Sequence, residues 1–171
     1  RPTFADVDPR SGNITPESIR AAMTDRTRAI IVVHLGGIPC EMEEIMLLAK
    51  QHDVVVIEDC AQSHGGNYRG QKLGSIGDIG VFSFCQDKII STGGEGGLVA
   101  TNRDELWNRM WSYKEHGKSF DTVFNKPHPP GFRWLHESFG TNLRMTEMQA
   151  AIGRIQLRRL PETIAIRQRN A

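Results

Sequence analysis

Residues 54–97 read VVVIEDCAQSHGGNYRGQKLGSIGDIGVFSFCQDKIISTGGEGG, and the rest of the chain is arranged around them. Two short apolar runs, residues 54–57 and 79–84, are typical of buried strands. Polar or charged side chains lie at or after the ends of these runs, namely Glu58, Asp59, Gln62, Ser83 and Lys88. In an open α/β sheet, ligands bind outside the carboxyl ends of the strands. The stretch therefore predicts one crevice on which a carboxylate, a hydroxyl and an amine converge.

The flanking segments predict an alternating α/β fold. Ala29–Val33 is a continuous apolar run rich in β-branched residues, which is typical of a strand buried in a parallel sheet. Residues 41–51 carry apolar side chains at i, i+3, i+4 and i+7, the spacing of an amphipathic helix. A strand, a helix and a second strand in this order predict a parallel crossover. With a further strand at residues 98–101, the predicted fold class is α/β, with a mainly parallel sheet flanked by helices.

Two polar segments predict loops, and one apolar pattern predicts a buried helix face. Residues 65–77 are rich in glycine and polar side chains, so we expect a loop there. Residues 118–137 hold three prolines and little periodicity, which predicts an extended loop with a functional role. Its part at residues 125–137, which contains Trp134, is a candidate border of a substrate pocket. The next helix is expected to bury a stripe formed by Met148, Ala151, Ile152 and Ile155, with Gly153 allowing close packing.

The composition argues against several classes of function. The chain has 171 residues and a net charge of +1, which gives no overall basic attraction to nucleic acid. It contains no apolar run of about 18 residues, so we expect no membrane span. Its three cysteines, Cys40, Cys60 and Cys85, are odd in number and lack C-x-x-C spacing. This pattern favours reduced thiols in the cytoplasm over a disulfide framework or a zinc site, and we expect no bound metal.

The converging groups have the composition of a pyridoxal phosphate site. Such a site needs an anion facing the ring nitrogen, donors for the phosphate and a lysine for a Schiff base. Three ordered motifs agree with this: E-D-x-A-Q-x-H-G from Glu58, G-S-x-G-D-x-x-x-F-S-F-x-x-x-K from Gly74, and G-E-G-G from Gly94. Together they resemble the sugar aminotransferases of the DegT/DnrJ/EryC1/StrS family, and the resemblance runs along nearly the whole chain. It implies the large domain of a fold type I pyridoxal phosphate enzyme.

The resemblance implies a role for each of five residues. Asp59 would face the ring nitrogen of the cofactor and keep it protonated, and Gln62 would lie near the phenolic oxygen. Ser83 would bind the phosphate, and Lys88 would form the Schiff base and move a proton during catalysis. Asn142, in a G-x-N-x-R-M pattern, would reach the phosphate bound to the neighbouring subunit.

From the residues alone, these assignments have plainer alternatives. Asp59 is also typical of a helix cap or a solvated loop acid, and Lys88 of a surface charge. Glu58, the neighbour of Asp59, is expected to point to the opposite face of the strand and has no predicted role. A lone histidine such as His64 is more often structural than catalytic. Arg144 is a weak candidate, because an interface charge or a helix-start charge explains it equally well.

The resemblance also implies that the chain is one part of a longer enzyme. Family members are longer than this sequence. Residues 1–171 would then form part of the pyridoxal phosphate-binding large domain, without the N-terminal segment and the small C-terminal domain. The enzyme would be a cytoplasmic homodimer with composite active sites, and it would bind neither nucleic acid nor membrane.

The implied function is transamination. An amino group would move from glutamate or glutamine to a nucleotide-linked keto sugar, in the biosynthesis of cell-surface polysaccharides or secondary metabolites. Amination of a cyclitol or of an amino-aromatic precursor is an alternative within the same cofactor class. A sugar dehydratase is another, although relatives of that kind replace the lysine with histidine, so Lys88 argues against it. A non-catalytic regulatory domain also stays open, since fold alone does not give function.

Overall fold

The computed structural model describes residues 1–131 and 135–171. Trp134, the candidate residue at a substrate pocket, lies outside the described residues. The chain divides into two compact units, residues 1–100 with 147–171 and residues 101–146, and each is described by itself.

The first unit contains every strand found in the described residues. The strands are β1 (Ala29–Val33), β2 (Val55–Asp59), β3 (Asn67–Tyr68), β4 (Gln71–Lys72), β5 (Ile79–Ser83) and β6 (Gly97–Ala100). Its helices are α1 (Pro16–Ala22), α2 (Met42–Gln51) and α5 (Glu147–Asn170), with a 3₁₀ turn at Leu35–Gly37, and the second unit holds α3 (Asp104–Lys114) and α4 (Phe120–Phe124).

A four-stranded sheet in the order β1-β2-β5-β6 forms the centre of the first unit. β1, β2 and β5 run parallel, while β6 pairs antiparallel with β5, so the prediction of a mainly parallel sheet is confirmed. The register pairs Val33 with Asp59 and Asp59 with Val81. The carboxyl ends of the three parallel strands therefore meet at one edge of the sheet.

Residues 65–77 form a small hairpin as well as loop, so the prediction of a loop throughout was wrong. β3 and β4 pair antiparallel, with Asn67 opposite Lys72 and Tyr68 opposite Gln71. The two residues between the strands, Arg69 and Gly70, both have positive φ, 49° and 87°. Positive φ at both central positions defines the two-residue turn that matches the twist of a hairpin. The sequence hides this turn because arginine rarely adopts that conformation.

The hydrophobic core lies between α2 and one face of the sheet. The core side chains are Ile19, Ile30, Val32, Cys40, Met42, Ile45, Leu48, Ala49, Val54 and Val56. Alternate residues of β1 and β2 are buried, which is the period-2 pattern of a strand with one covered face. The opposite face is more open, since Ile31 is 61% exposed and Val33 is 41% exposed.

A buried carboxylate, that of Glu58, lies on the core side of the sheet. Glu58 is 0% exposed. Its carboxylate accepts hydrogen bonds from the backbone N–H groups of Gly74 at 2.8 Å, Ile76 at 2.8 Å and Gly77 at 2.6 Å. The fourth partner is the His34 Nε2 atom, 3.1 Å from Glu58 Oε2. Burying a charge is costly unless such partners replace water, and here they tie the loop before β5 to the end of β2.

The hydrogen bonds of His34 fix its tautomer. His34 Nδ1 accepts the backbone N–H of Cys40 at 3.1 Å, so the ring proton lies on Nε2 and is donated to Glu58. Burial acts to raise the pKa of the Glu58 carboxyl, but the bond from His34 and the three backbone N–H groups outweigh it and lower the pKa overall. Glu58 is therefore held as a carboxylate beside a neutral imidazole.

The second unit contains a helix where the sequence predicted only extended loop. α4 lies within residues 118–137, and the Ser119 hydroxyl caps it by accepting the N–H of Thr122. Phe120 packs edge-on against Trp107 and Trp111, with ring centroids 5.1 and 5.2 Å away. This aromatic packing stabilises a helix that is too short to persist by itself.

The predicted buried stripe on α5 was wrong. Met148 is 77% exposed, Ile152 is 41% exposed and Ile155 is 57% exposed. The apolar spacing marks one face of the helix but does not show what covers it. The predicted close approach at Gly153 is confirmed, because a Cβ there would lie 3.0 Å from the side chain of Thr92. Within the described residues, neither α5 nor any other helix is long and apolar enough to cross a membrane.

Replacing Glu58 with glutamine should destabilise the protein. The substitution keeps the side-chain volume but places an NH₂ group against donors that have no other acceptor in the part of the chain that the structure describes. Each unsatisfied buried donor costs about 1–3 kcal/mol. Urea unfolding at neutral pH should give a clear loss of stability for Glu58→Gln, whereas the exposed Glu44→Gln control should stay close to wild type.

Acid should reduce the difference in unfolding free energy between the wild-type protein and Glu58→Gln. Because the native pKa of Glu58 is lowered, its stabilising effect is complete above the ordinary value of about 4.3 and is lost as the pH falls through the native pKa. Equal denaturation midpoints for Glu58→Gln and Glu44→Gln at neutral pH would contradict this account.

Candidate functional site

The carboxyl edge of the sheet brings Asp59 and Ser83 to the same face. Asp59 ends β2 and is paired with Val81 of β5, so their side chains share a face. Ser83 lies two residues beyond Val81 and returns to that face. Glu58 points the opposite way, as the strand alternation predicted. The open face of the sheet therefore carries a carboxylate and a hydroxyl at neighbouring strand ends.

The end of β2 holds Asp59 in a defined position. The backbone N–H of Cys60 donates to the carbonyl oxygen of Val81 at 2.8 Å, which continues the sheet pairing one residue past the strand. Asp59 Oδ1 accepts the N–H of Ala61 at 3.0 Å. Its second oxygen, Oδ2, has no hydrogen-bond partner in residues 1–131 and 135–171. One carboxylate oxygen orients the side chain, and the other is left for a ligand.

The carboxamide of Gln62 is oriented by a turn from a different part of the chain. Gln62 Oε1 accepts the backbone N–H of Gly36 at 2.8 Å. Gly36 lies in the 3₁₀ turn that follows β1 and has a φ of 59°, a conformation that favours glycine. Because the amide oxygen is engaged, the NH₂ group is the end of the Gln62 carboxamide that can donate to a ligand. Such a group donates hydrogen bonds without adding charge.

Ser83 and Lys88 are joined by a tight turn. Ser83 Oγ lies 3.4 Å from the N–H of Cys85, which it accepts, so its own proton is available for donation. The backbone N–H of Lys88 donates to the carbonyl of Cys85 at 3.1 Å. The side chain of Lys88 is 22% exposed, and its Nζ lies 3.6 Å from Asp87 Oδ1. The Cys85 thiol, which donates to Asp87, and the charge of Lys88 both lower the pKa of the Asp87 carboxyl.

The loop that binds Glu58 also packs closely against β5. A Cβ at Gly80 would overlap the backbone of Gly74, and a Cβ at Gly74 would overlap the ring of Phe82. These contacts leave room for glycine alone. The first glycine of the G-S-x-G-D motif therefore allows the loop to pack closely against β5, the strand that ends in Ser83.

His64 is buried behind the same strand end. It is 4% exposed, and its ring lies 5.7 Å from the ring of Phe82 and 5.9 Å from that of Phe84. Neither ring nitrogen has a hydrogen-bond partner among the described residues. Burial, as the larger effect, and the positive charge of Lys88 lower the pKa of His64, against an opposing effect of the nearby Ser83 backbone. The imidazole is therefore neutral at pH 7.

Asn142 lies in the second unit and is described within that unit only. Its Oδ1 accepts hydrogen bonds from the backbone N–H of Arg144 at 3.3 Å and from Arg144 Nε at 3.0 Å. Its backbone forms a bridge with Glu115, and Arg144 Nε lies 3.6 Å from Glu115 Oε2. Arg144 thus orients the Asn142 carboxamide, leaving the NH₂ group as its donor.

His34, Glu58 and Cys60 offer ligand atoms within 4.8 Å of one another. Their hydrogen bonds give a better account of this cluster than a metal does. Both His34 nitrogens and both Glu58 oxygens already have protein partners. Burial raises the pKa of the Cys60 thiol to about 11, whereas a metal requires the thiolate. The cluster is a structural support for the strand ends.

Sequence reasoning missed the residues that support the site. Glu58 occupies a core-facing position of a buried strand, and a carboxylate there needs several donors; this signal was available in the alternation of the strand. Asn13, which holds the Gly36 turn, gave no comparable signal, because its partners at Leu35 and Ile38 are distant in sequence.

Known proteins match this chain over its whole length. The model of the DegT/DnrJ/EryC1/StrS aminotransferase family matches residues 1–171. The chain is 42% identical over 168 residues to the GDP-perosamine synthase of Caulobacter vibrioides, a match that covers 98% of this chain and 42% of that protein.

Two solved structures are also similar. An aminotransferase from Psychrobacter cryohalolentis is 63% identical, with a TM-score of 0.92 over 94% of this chain and 41% of that chain. The E. coli GDP-4-keto-6-deoxy-D-mannose-3-dehydratase with bound hydrated PLP is 32% identical, with a TM-score of 0.80 over 98% of this chain and 44% of that chain. The chain spans about two fifths of the length of these relatives.

The buried His64 should make stability depend on pH. Because its native pKa is lowered, the unfolded state binds more protons between that value and the ordinary value of about 6.5. The free energy of unfolding should therefore be highest above a pH of about 6.5, and it should fall as the pH drops below that value. His64→Phe keeps the ring packing and should remove this dependence, with little change at pH 7.5.

Unfolding free energies measured from pH 5 to 7.5 test this directly. The exposed His52→Gln variant serves as the control and should keep the wild-type pH slope. A His64→Phe protein with the same slope as wild type would show that the imidazole is not buried in its neutral form.

Proposed function

The chain belongs to the DegT/DnrJ/EryC1/StrS aminotransferase family, and we propose that it is the cofactor-binding part of an enzyme that transfers an amino group to a keto sugar. The observation that supports this best is the carboxyl edge of the sheet. Asp59 and Ser83 share one face there, and the partly shielded Lys88 follows Ser83 by five residues. This is the set of groups that transamination with pyridoxal phosphate requires.

The residues at this edge fit pyridoxal 5′-phosphate. Asp59 has a carboxylate oxygen left for the ring nitrogen, and the Ser83 hydroxyl proton is available to the phosphate. Gln62 presents its NH₂ group, which suits the phenolic oxygen, and Lys88 supplies the amine that would hold the cofactor covalently. When bound, the cofactor supplies an electron sink for the pair released as a Cα–H bond breaks.

Lys88 would also act as the base that takes the Cα proton of the amino donor. An amine accepts a proton only in its uncharged form. Asp87, the residue facing Lys88 Nζ at 3.6 Å, has a side chain that is 71% exposed, and exposed ion pairs of this kind are weak. The Lys88 amine can therefore leave Asp87 at little cost and act inside the site.

A dehydratase is the alternative that one relative suggests, since the E. coli protein of that name has a similar structure. Dehydratases of this family are expected to carry histidine in place of the lysine. Lys88 is a lysine at the family spacing from Ser83, which favours transamination. Incubation of the holoenzyme with a keto sugar and an amino donor separates the two reactions, because the product would gain an amino group in one case and lose water in the other.

The name of one relative supports a class of acceptor. We propose a nucleotide-linked keto sugar as the acceptor, because the similar Caulobacter protein is a GDP-perosamine synthase. We propose glutamate or glutamine as the donor, as the family resemblance implies. Mass analysis of the products from GDP-, UDP- and TDP-linked keto sugars would identify the acceptor. Amination of a cyclitol ketone in preference to all of these would overturn this assignment.

The proposed assembly is a cytoplasmic homodimer in which Asn142 reaches the phosphate bound to the partner subunit. The 171 residues would form part of the large domain of each subunit, and the whole activity would belong to the complete enzyme. The oxygen of the Asn142 carboxamide is held by Arg144, so its NH₂ group is the end that suits an anionic ligand.

Lys88 should carry the cofactor. Borohydride reduction of the holoenzyme followed by peptide mapping should place the pyridoxyl label on Lys88. Lys88→Ala should lower the transamination rate by on the order of 10²–10⁴, the usual effect of losing a general acid–base group. Lys72→Ala, at an exposed lysine of β4, should keep full activity. A label on another lysine, or unchanged turnover of Lys88→Ala, would contradict the role proposed for Lys88.

Composite active sites predict recovery of activity in mixed dimers. A chain carrying Asn142→Ala and a chain carrying Lys88→Ala should each be impaired alone. A mixed dimer would hold one site that combines an intact Lys88 with an intact Asn142, so part of the activity should return. Verified mixed dimers that stay as inactive as the parents would show that Asn142 does not act across the interface.

A further inference from the structure

A buried asparagine holds the turn that orients Gln62. Asn13 is 4% exposed. Its Nδ2 donates to the carbonyl oxygen of Ile38 at 2.9 Å, and its Oδ1 accepts the backbone N–H of Leu35 at 3.1 Å. The single carboxamide thus closes both ends of the 3₁₀ turn that contains Gly36.

Asn13 is itself fixed by a turn near the start of the chain. Val7 and Ile14 form an antiparallel bridge, and the N–H of Asp8 donates to the Asn13 carbonyl at 2.9 Å. The Ser11 hydroxyl accepts the backbone N–H of Asn13 at 3.2 Å. The asparagine is therefore positioned independently of the turn that it holds.

The consequence for Gln62 follows from the two-ended nature of a carboxamide. One end accepts hydrogen bonds and the other donates, and either can face a ligand after a flip. The N–H of Gly36 can bond only to the oxygen, and it does so at 2.8 Å. This bond therefore decides which end of Gln62 is presented to the site.

We propose that Asn13 is a positioning residue that sets the orientation of the Gln62 carboxamide through the Gly36 turn. The proposal rests on the proposed cofactor site. With the turn held, Gln62 presents its NH₂ group to the phenolic oxygen of pyridoxal phosphate. If the turn is released, the Gln62 carboxamide can rotate so that its own oxygen faces the phenolic oxygen of the cofactor. Two acceptors then face each other, and repulsion replaces the hydrogen bond.

A double-mutant cycle tests the coupling. Asn13→Ala should weaken the affinity of the apoprotein for pyridoxal phosphate by about three- to tenfold, the effect expected for one hydrogen bond. Gln62→Leu should weaken it similarly. In the Gln62→Leu background, Asn13→Ala should have little further effect, because the group it orients is gone. Asn67→Ala, which removes an asparagine side-chain hydrogen bond in the β3–β4 hairpin, is the matched control and should bind like wild type.

A second measurement does not depend on the cofactor. Amide hydrogen exchange of the apoprotein should be faster at residues 35–38 in Asn13→Ala and unchanged there in Asn67→Ala. In Gln62→Leu the increase should be confined to Gly36, whose N–H loses its acceptor. Should Asn13→Ala fail to fold, Asn13→Asp replaces it, since it keeps the acceptor for Leu35 and loses the donor to Ile38.

The outcomes separate this inference from the proposed function. A wild-type apoprotein that does not bind pyridoxal phosphate would overturn both. Normal binding with additive effects of Asn13→Ala and Gln62→Leu would overturn the positioning role alone and leave the function standing. Unchanged exchange at residues 35–38 in Asn13→Ala would also overturn it.

Discussion

The Glu58 carboxylate is a charge held at 0% exposure under the sheet, and it needs all four of its hydrogen bonds. A buried carboxylate without donors would be expelled or neutralised. Its donors come from the loop at residues 74–77 and from His34 at the end of β1. The requirement to solvate one charge therefore ties the end of β1 and the loop before β5 to the end of β2.

This constraint also determines where the candidate site residues lie. Glu58 and Asp59 are neighbours on one strand, so fixing Glu58 on the core face fixes Asp59 on the open face. The loop bound by Glu58 packs on β5 through Gly74 and Gly80, and β5 ends in Ser83. The structural support and the proposed cofactor-binding groups thus lie on opposite faces of the sheet, so a ligand on the open face would not contact the buried charge.

Much of this arrangement could be predicted from the sequence, because it depends on short-range periodicity. Apolar runs predict the strands at Ala29–Val33 and Val55–Asp59. Strand alternation predicts that Asp59 and Glu58 point to opposite faces of the sheet. The family spacing between Ser83 and Lys88 gave the candidate site, whose roles stay predictions. The α/β class and the family are confirmed.

Other features depend on long-range contacts that local patterns do not contain. The α4 helix exists because Phe120 packs on two tryptophans of another helix. The face of α5 was misassigned because spacing reveals an apolar stripe but not its partner. Titration of the apoprotein with pyridoxal phosphate, followed by visible absorption, tests the central claim most directly. We predict a new band that saturates at one cofactor per chain in wild type and is absent in Lys88→Ala; no band in wild type, or the same band in Lys88→Ala, would contradict it.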